Sequence, residues 1–472
     1  MIPLTARQIA EAVEGRMVSG SAEITAGRVG IDSRRLGAGD CFFAIVGEHH
    51  DGHDFIPAAA AAGAAVVVAQ RVPAELGAEH TALIEVADTT AALQALGGWL
   101  RRELDPTVIG ITGSLGKTTT KELTAALIGL RFSVHATPGN LNNHWGLPLS
   151  LLGLEPHHDV MVAEMAMSAP GEIRALARIA APEIGVITNI APAHMMNFAD
   201  LDEVAAAKGE LAEELPSSGT LIVNADDARA AAMPGRVAPR VAHVLRFGCD
   251  DRADVRAAGA ERVEHGWRFE LRADGGSWPI ELQLAGAAGL YCFLGAAAAA
   301  WAVGVPFDQI AAHATELRPL ANRGGLHRLK HVTLLDESYN ASPVAVQAAL
   351  DTLAGLSGTS RHIAVLGDML EMGEWTAQVH REVGAHAATS GVDLLVAVGA
   401  FANLIVEGAV ASGMDEDDVV EFDTADQAAT WLAPRLASGD TILVKGSRAV
   451  HLEHVVDAVR ETTAETTGAR ED

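Results

Sequence analysis

Short, uninterrupted apolar runs closed by glycine or a polar cluster recur along this chain, separated by stretches of helical periodicity. Such runs read as strands covered on both faces, and their alternation with helices predicts parallel sheets in an α/β fold. At the start, Thr5-x-x-Gln8 is a capping-box pattern for a helix ending near Gly15. Short strands with turns are expected next, through Ile31-Asp32-Ser33-Arg34 and Cys41 to Gly47, with a buried strand at Ala65–Ala69. The turn residues Ser33, Arg34, Asp51 and His53 are weak ligand candidates. A helix over Thr89–Arg102 leads to Pro106 and a β-branched strand from Val108. Later strands are read at Asp159–Ala163, Gly185–Ile190, Val332–Leu335, His362–Leu366, Leu394–Val398 and Thr441–Val444. The pattern therefore predicts a small mixed α/β domain over 1–103, a central parallel-sheet domain over 104–318 and a dinucleotide-fold-like domain over 319–460. A disordered tail is expected over 461–472, where Thr and Glu dominate and Gly468 interrupts.

The second domain opens on the most informative stretch, Val108 to Thr119. A strand feeds Thr112-Gly113-Ser114-Leu115-Gly116-Lys117-Thr118-Thr119, and a helix is expected to begin at the lysine. Glycines let backbone N–H groups close on phosphate oxygens, the helix N-terminus favours an anion, and Lys117 supplies a cation. Thr118 is placed to meet a nucleotide-bound Mg²⁺. A strict Walker loop has glycine five residues before Gly116, where this chain has Ile111, so the loop is a Thr-Gly-x-x-Gly-Lys-Thr variant that predicts ATP binding. Two neighbouring strands run out to Glu164 and His194, at the carboxyl edge where open α/β sheets collect ligands. An acidic and an imidazole group there suggest a metal serving the nucleotide. Between them, Thr137 to Gly146 carries three asparagines in a turn-rich loop. Lys208 stands alone on an Ala-rich helix and reads from its surroundings as a surface lysine.

Composition narrows the setting. At 472 residues with a net charge of −27, the chain has room for two or three cores and is ill-suited to nucleic-acid backbones. Cys41, Cys249 and Cys292 are too few and too scattered for a disulfide framework or zinc site, which fits a reducing cytoplasm. Leu284–Phe307 is free of charge over a bilayer-spanning length, but its Ala and Gly content and lack of basic anchors read as a buried helix, so no membrane insertion is expected.

Taken together the motifs resemble the Mur ligases, ATP-dependent enzymes that extend the peptide of peptidoglycan precursors. The resemblance runs through Asp32-Ser-Arg34, Asp51-Gly-His53, the phosphate loop, Gly139-Asn-Leu-Asn-Asn143, Pro170-Gly-Glu-Ile173, Asn189–His194 and Ala207-Lys-Gly-Glu210. It continues through Asp336-x-Ser-Tyr-Asn-Ala-Ser-Pro343, Leu366–Gly373 and Val444-Lys-Gly-Ser-Arg448, and is nearest to members that add D-alanyl-D-alanine to UDP-N-acetylmuramoyl-tripeptide. It implies nucleotide-sugar binding in the first domain, ATP in the second and the amine substrate in the third, in a cytoplasmic monomer. The precursor carboxylate would attack the γ-phosphate, and the dipeptide amine would then attack the acyl phosphate. By resemblance Glu164, His194 and Thr118 hold Mg²⁺, with Lys208 as a carbamylated lysine, which replaces the surface reading. Lys117, Lys208 and His194 become the catalytic set, Gly113 to Thr119 with Arg323 and Asp336 the ATP contacts. Ser33 and Arg34 resemble UDP contacts, Asn142 and Asn143 muramoyl-peptide contacts, and Tyr339, Asn340 and Lys445 third-domain substrate contacts.

One departure stands out. Where Mur ligases usually carry Gly-x-His-Asn-x-x-Asn, this chain has Gly286-Ala-Ala-Gly-Leu-Tyr-Cys292. Losing two carboxamides expected near adenine removes about 1–3 kcal/mol of polar recognition if nothing replaces them. Two alternatives stay open at this point: a Mur or folylpolyglutamate-type ligase using another amine, and a degenerate, non-catalytic binding protein.

Overall fold

The computed structural model describes residues 2–73, 81–192, 195–237, 241–263, 266–320, 322–356 and 359–464. Three α/β units follow one another, each built on its own sheet. The first has five strands in the order Arg16–Ser19, Ala82–Glu85, Val66–Ala69, Cys41–Phe43 and Val29–Gly30. Thr5 and Gln8 form the expected reciprocal capping box at the start of helix Ala6–Ala12. The strand expected through Ile31–Arg34 is absent: Asp32 accepts a hydrogen bond from the Arg34 amide and starts a 3₁₀ turn, Ser33–Arg35. An Asp in that position offers the backbone an alternative to the sheet ladder.

The central sheet has nine strands. From one edge they run Val134–Ala136, Val160–Glu164, Thr107–Thr112, Ile184–Ile187, Thr220–Asn224, His243–Gly248 and Val255–Val263, all parallel. Gly266–Ala273 and Gly276–Leu282 then extend it antiparallel, an addition the sequence pattern had not suggested. Alternate residues of the central strand enter different cores: Val108 packs with Leu147 and Leu176, while Ile109 and Ile111 pack with Leu123 and Leu127. Burial on both faces is why this strand reads as an unbroken apolar run. The third sheet orders Gly325–Arg328, Thr333–Glu337, Asp440–Lys445, Arg361–Gly367, Leu394–Val398 and Val419–Phe422, and only its first strand is antiparallel.

The charge-free stretch forms one helix, Gly286–Ala302, whose residues Ala296 to Ala300 are fully buried. Its small side chains let it lie close to the phosphate-loop helix, Lys117–Ile128: the Cys292 thiol is 3.6 Å from the Gly116 carbonyl. No helix among the described residues is long and apolar enough to cross a membrane.

The expected tail needs correction at its start. Helix Glu453–Ala464 carries through residues 461–464. Val455, Val456 and Val459 are buried on one face, and the buried Thr463 hydroxyl donates to the carbonyls of Val459 and Arg460. A threonine can thus satisfy its hydroxyl inside the helix, which composition alone had counted toward disorder. Residues 465–472 lie outside the described ones.

Candidate active site

The carboxyl ends of three adjacent parallel strands, Thr107–Thr112, Val160–Glu164 and Ile184–Ile187, meet at one edge. The first becomes the glycine loop. Gly113 and Gly116 have φ of 152° and 76°, values that side chains with a Cβ rarely adopt, and a Cβ at Gly116 would stand 2.6 Å from the Cys292 sulfur. The Lys117 ammonium folds back onto the loop, donating to the carbonyls of Gly113 at 2.8 Å and Ser114 at 3.2 Å.

The strand read as Gly185–Ile190 stops at Ile187, because the next residues leave the ladder to brace this loop. Asn189 Oδ1 accepts from the Leu115 amide at 2.9 Å, and its Nδ2 donates to the Leu115 carbonyl at 3.1 Å. The Thr188 hydroxyl donates to the same carbonyl, and the Ser114 amide donates to the Asn189 carbonyl. Ser114 Oγ in turn donates to the Ala191 carbonyl and accepts from the Ala191 amide. The sequence reading passed over Asn189 as a functional residue. Its signal was a carboxamide two residues past a strand that ends beside a phosphate loop.

Glu164 closes the neighbouring strand and is buried. Its Oε1 accepts from Asn142 Nδ2 at 2.7 Å, while Oε2 is buried with no hydrogen-bond partner among the described residues. A buried carboxylate oxygen left open beside a phosphate loop fits a hard divalent cation. Lys208, on helix Leu201–Glu213, is buried rather than on the surface. Burial, reinforced by the nearby charge of Lys117, drives its pKa well below that of an ordinary lysine. Burial also lowers Lys117, opposed by Glu164 and helped by the positive charge of Arg323. Lys117 thus feels Glu164, Lys208 and Arg323 together, the last from the turn that precedes the third sheet. His194 lies outside the described residues.

Other candidates sit as follows. Arg323 stacks on Tyr339, its guanidinium carbon 3.8 Å from the ring centre, and Arg448 approaches the same ring at 5.6 Å. Lys445 is buried and donates to Glu337 and to the Asn340 carbonyl, both at 3.1 Å. Asp336 is fully buried; its Oδ1 accepts from the Ser338 amide and hydroxyl, shaping the turn after its strand, and its Oδ2 from Arg460 at 3.3 Å. Asn143 Oδ1 caps the turn by accepting from the amides of Trp145 and Gly146. In the first unit Arg34 forks onto Asp32, and Ser33 lies in the same 3₁₀ turn. His53 is held between Asp51, 2.6 Å from its Nδ1, and the Gln70 and Arg71 amides that donate to its Nε2, which makes it a structural histidine. From helix Gly286–Ala302, Cys292 rather than a carboxamide faces the loop, and the Tyr291 hydroxyl donates to Asp226.

Family models then match the three units in turn. The Mur ligase catalytic-domain model covers residues 25–98, the middle-domain model 111–300 and the glutamate ligase domain model 323–448. The chain is also 34% identical to the UDP-N-acetylmuramoyl-tripeptide–D-alanyl-D-alanine ligase of Escherichia coli, over 98% of this chain and 99% of that one. It belongs to the Mur ligase family. The same named ligase of Mycobacterium tuberculosis is 36% identical over 97% of this chain and 98% of its own. Among solved structures, MurF of Acinetobacter baumannii superposes with a TM-score of 0.87 at 30% identity, covering 97% of this chain and 99% of that one. MurF of Thermotoga maritima in complex with ADP gives 0.79 at 28% identity, covering 93% and 98%. These full-length matches bear out the three-part α/β fold of a Mur ligase.

The bracing of the loop yields a direct test. Asn189→Ala removes two hydrogen bonds to Leu115, each worth about 1 kcal/mol, and leaves the backbone bond from Ser114 intact. ADP affinity measured by calorimetry is expected to fall about tenfold while the thermal midpoint changes little. Unchanged affinity would show that the carboxamide does not set the loop's shape.

Proposed function

We propose that this Mur ligase joins D-alanyl-D-alanine to the peptide carboxylate of UDP-N-acetylmuramoyl-tripeptide at the expense of ATP. The observation that carries the reading is the open Glu164 oxygen at the phosphate-loop edge, close to Lys117, which also feels the charge of Arg323 from the third unit. Full-length relatives bearing that ligase's name support the choice of substrates.

The precursor carboxylate oxygen attacks the γ-phosphorus, the bond to the β-phosphate oxygen breaks, and ADP leaves an acyl phosphate. The dipeptide amine attacks the acyl carbon; the tetrahedral intermediate expels phosphate, which keeps the original carboxylate oxygen, and the amine loses a proton. Lys117, released from the carbonyls of Gly113 and Ser114, neutralises the β/γ oxygens, and Arg323 adds a second cation. Glu164, with Thr118, His194 and a carbamylated Lys208, would hold Mg²⁺, which supplies charge neutralisation at the phosphoryl oxygens. Gly113 to Thr119 form the phosphate cradle. The first unit, through Ser33 and Arg34, takes the uridine nucleotide, and Tyr339, Asn340 and Lys445 line the amine side. Asn142, which also holds Glu164, and Asn143 contact the muramoyl peptide. The enzyme works as a monomer in the cytoplasm.

Phosphate release with ATP, Mg²⁺ and UDP-muramoyl tripeptide should require D-alanyl-D-alanine. Lys117→Ala should lower turnover by at least 10³-fold and leave precursor binding intact. Release driven instead by a single diamino acid or by glutamate would select another amine. Silence with every amine, despite precursor binding, would make the chain a binding protein.

Lys208 gives a pH-dependent test. Its buried neutral amine can add to CO₂, forming a carbamate and releasing a proton. Protein stripped of bicarbonate should lose activity and regain it when bicarbonate is returned. Recovery at fixed dissolved CO₂ should quicken as pH rises through the depressed pKa and level off above it, because only the neutral amine reacts. Full activity without bicarbonate would remove the carbamate from the account.

A further inference from the structure

Lys121 stands one helical turn beyond Lys117 on the phosphate-loop helix, and its side chain is completely buried. Its ammonium donates to the carbonyls of Thr137 at 2.6 Å and Gly139 at 3.4 Å, with the Glu122 carboxylate at 2.8 Å. A buried cation survives only where its donors are met, and here two of its three partners belong to the stretch 137–146.

That stretch holds the open carboxylate in place. The Thr137 hydroxyl accepts from the Glu164 amide at 3.0 Å, and the Thr137 amide donates to the Val162 carbonyl at 3.0 Å. Five residues on, Asn142 Nδ2 donates to Glu164 Oε1, and the Asn142 carbonyl accepts from the Ala166 amide at 2.9 Å. The far end of the stretch is anchored to the first unit: Trp145 Nε1 donates to the Thr90 hydroxyl, and Gln94 Nε2 donates to the His144 carbonyl. Lys121 is thus the tie between the helix that cradles phosphate and the segment that aims Glu164 Oε2.

We propose that Lys121 is a positioning residue, which sets the Glu164 oxygen for a divalent cation by clamping the 137–146 segment to the phosphate-loop helix. The inference rests on the reading of Glu164 as a metal ligand and adds the group that controls it. The Lys121 ammonium is engaged by the carbonyls of Thr137 and Gly139 and by Glu122, so it acts on Glu164 through the segment that carries Thr137 and Asn142. The two substrate-side asparagines then gain a scaffold role, since the same segment runs on to the first unit.

The test uses the full chain with a non-hydrolysable ATP analogue and Mn²⁺, whose binding is followed by electron paramagnetic resonance. Wild-type protein should bind Mn²⁺ with the analogue present; failure there would sink the metal-site reading itself. In Lys121→Met, which fills the same space without the charge, the Mn²⁺ dissociation constant should rise at least tenfold. Affinity for the analogue without metal should stay within threefold of wild type, and added Mg²⁺ should restore part of kcat. Mn²⁺ affinity within twofold of wild type would overturn the proposal, and so would equal losses for metal and nucleotide, the mark of a general structural defect. Should Lys121→Met fail to fold, Thr137→Val decides by the same criteria, because it removes the hydroxyl that accepts from the Glu164 amide.

Discussion

A glycine loop that can wrap phosphate cannot also hold its own shape, and the site depends on how this chain resolves that conflict. Between Gly113 and Gly116 the backbone is in conformations that leave amides and carbonyls outside any ladder. The neighbouring strand meets the need by ending early, so that Thr188 and Asn189 hold Leu115 while Ser114 is paired with Ala191. Because both strands belong to one parallel sheet, the brace and the loop are fixed to the same rigid layer. The chain itself thus supplies the bonds that shape the loop, which is the economy that preorganisation offers.

The same edge gathers the remaining chemistry. Glu164 ends the strand on the other side of the loop, with one oxygen used by Asn142 and the other kept open. Lys208 is buried close enough for Lys117 to affect its proton affinity, a setting that favours a neutral amine. Arg323 extends the positive field from the third unit and is steadied by the face of Tyr339. Each group is individually costly to bury or leave unpaired. Their concentration at one strand edge marks a site rather than a fold requirement.

Much of this was legible in the sequence because the local signals agreed with the global fold. The strand–glycine–lysine order at Val108–Thr119, the capping box at Thr5–Gln8 and the buried reading of Leu284–Phe307 follow from backbone and burial rules that act within a few residues. What sequence periodicity could not show depended on distant partners. Lys208 sits on an alanine-rich helix that gives no hint of its burial, and only the family resemblance marked it. Arg460, from the last helix, donates to Asp336 at 3.3 Å across 124 residues. Asn142 is a brace on Glu164, and Lys121 a buried tie whose carbonyl partners lie 16 and 18 residues away. On helix Gly286–Ala302 the residue facing the loop is a thiol, in the stretch where the usual motif carries carboxamides.

In the proposed reaction this edge activates a peptide carboxylate by moving the γ-phosphoryl group onto it. Precursor labelled with ¹⁸O in its terminal carboxylate, turned over with ATP, Mg²⁺ and D-alanyl-D-alanine, tests that step directly. One ¹⁸O atom is expected in each phosphate released and one in the new amide carbonyl. Phosphate free of label, formed at the same rate as the amide, would contradict it.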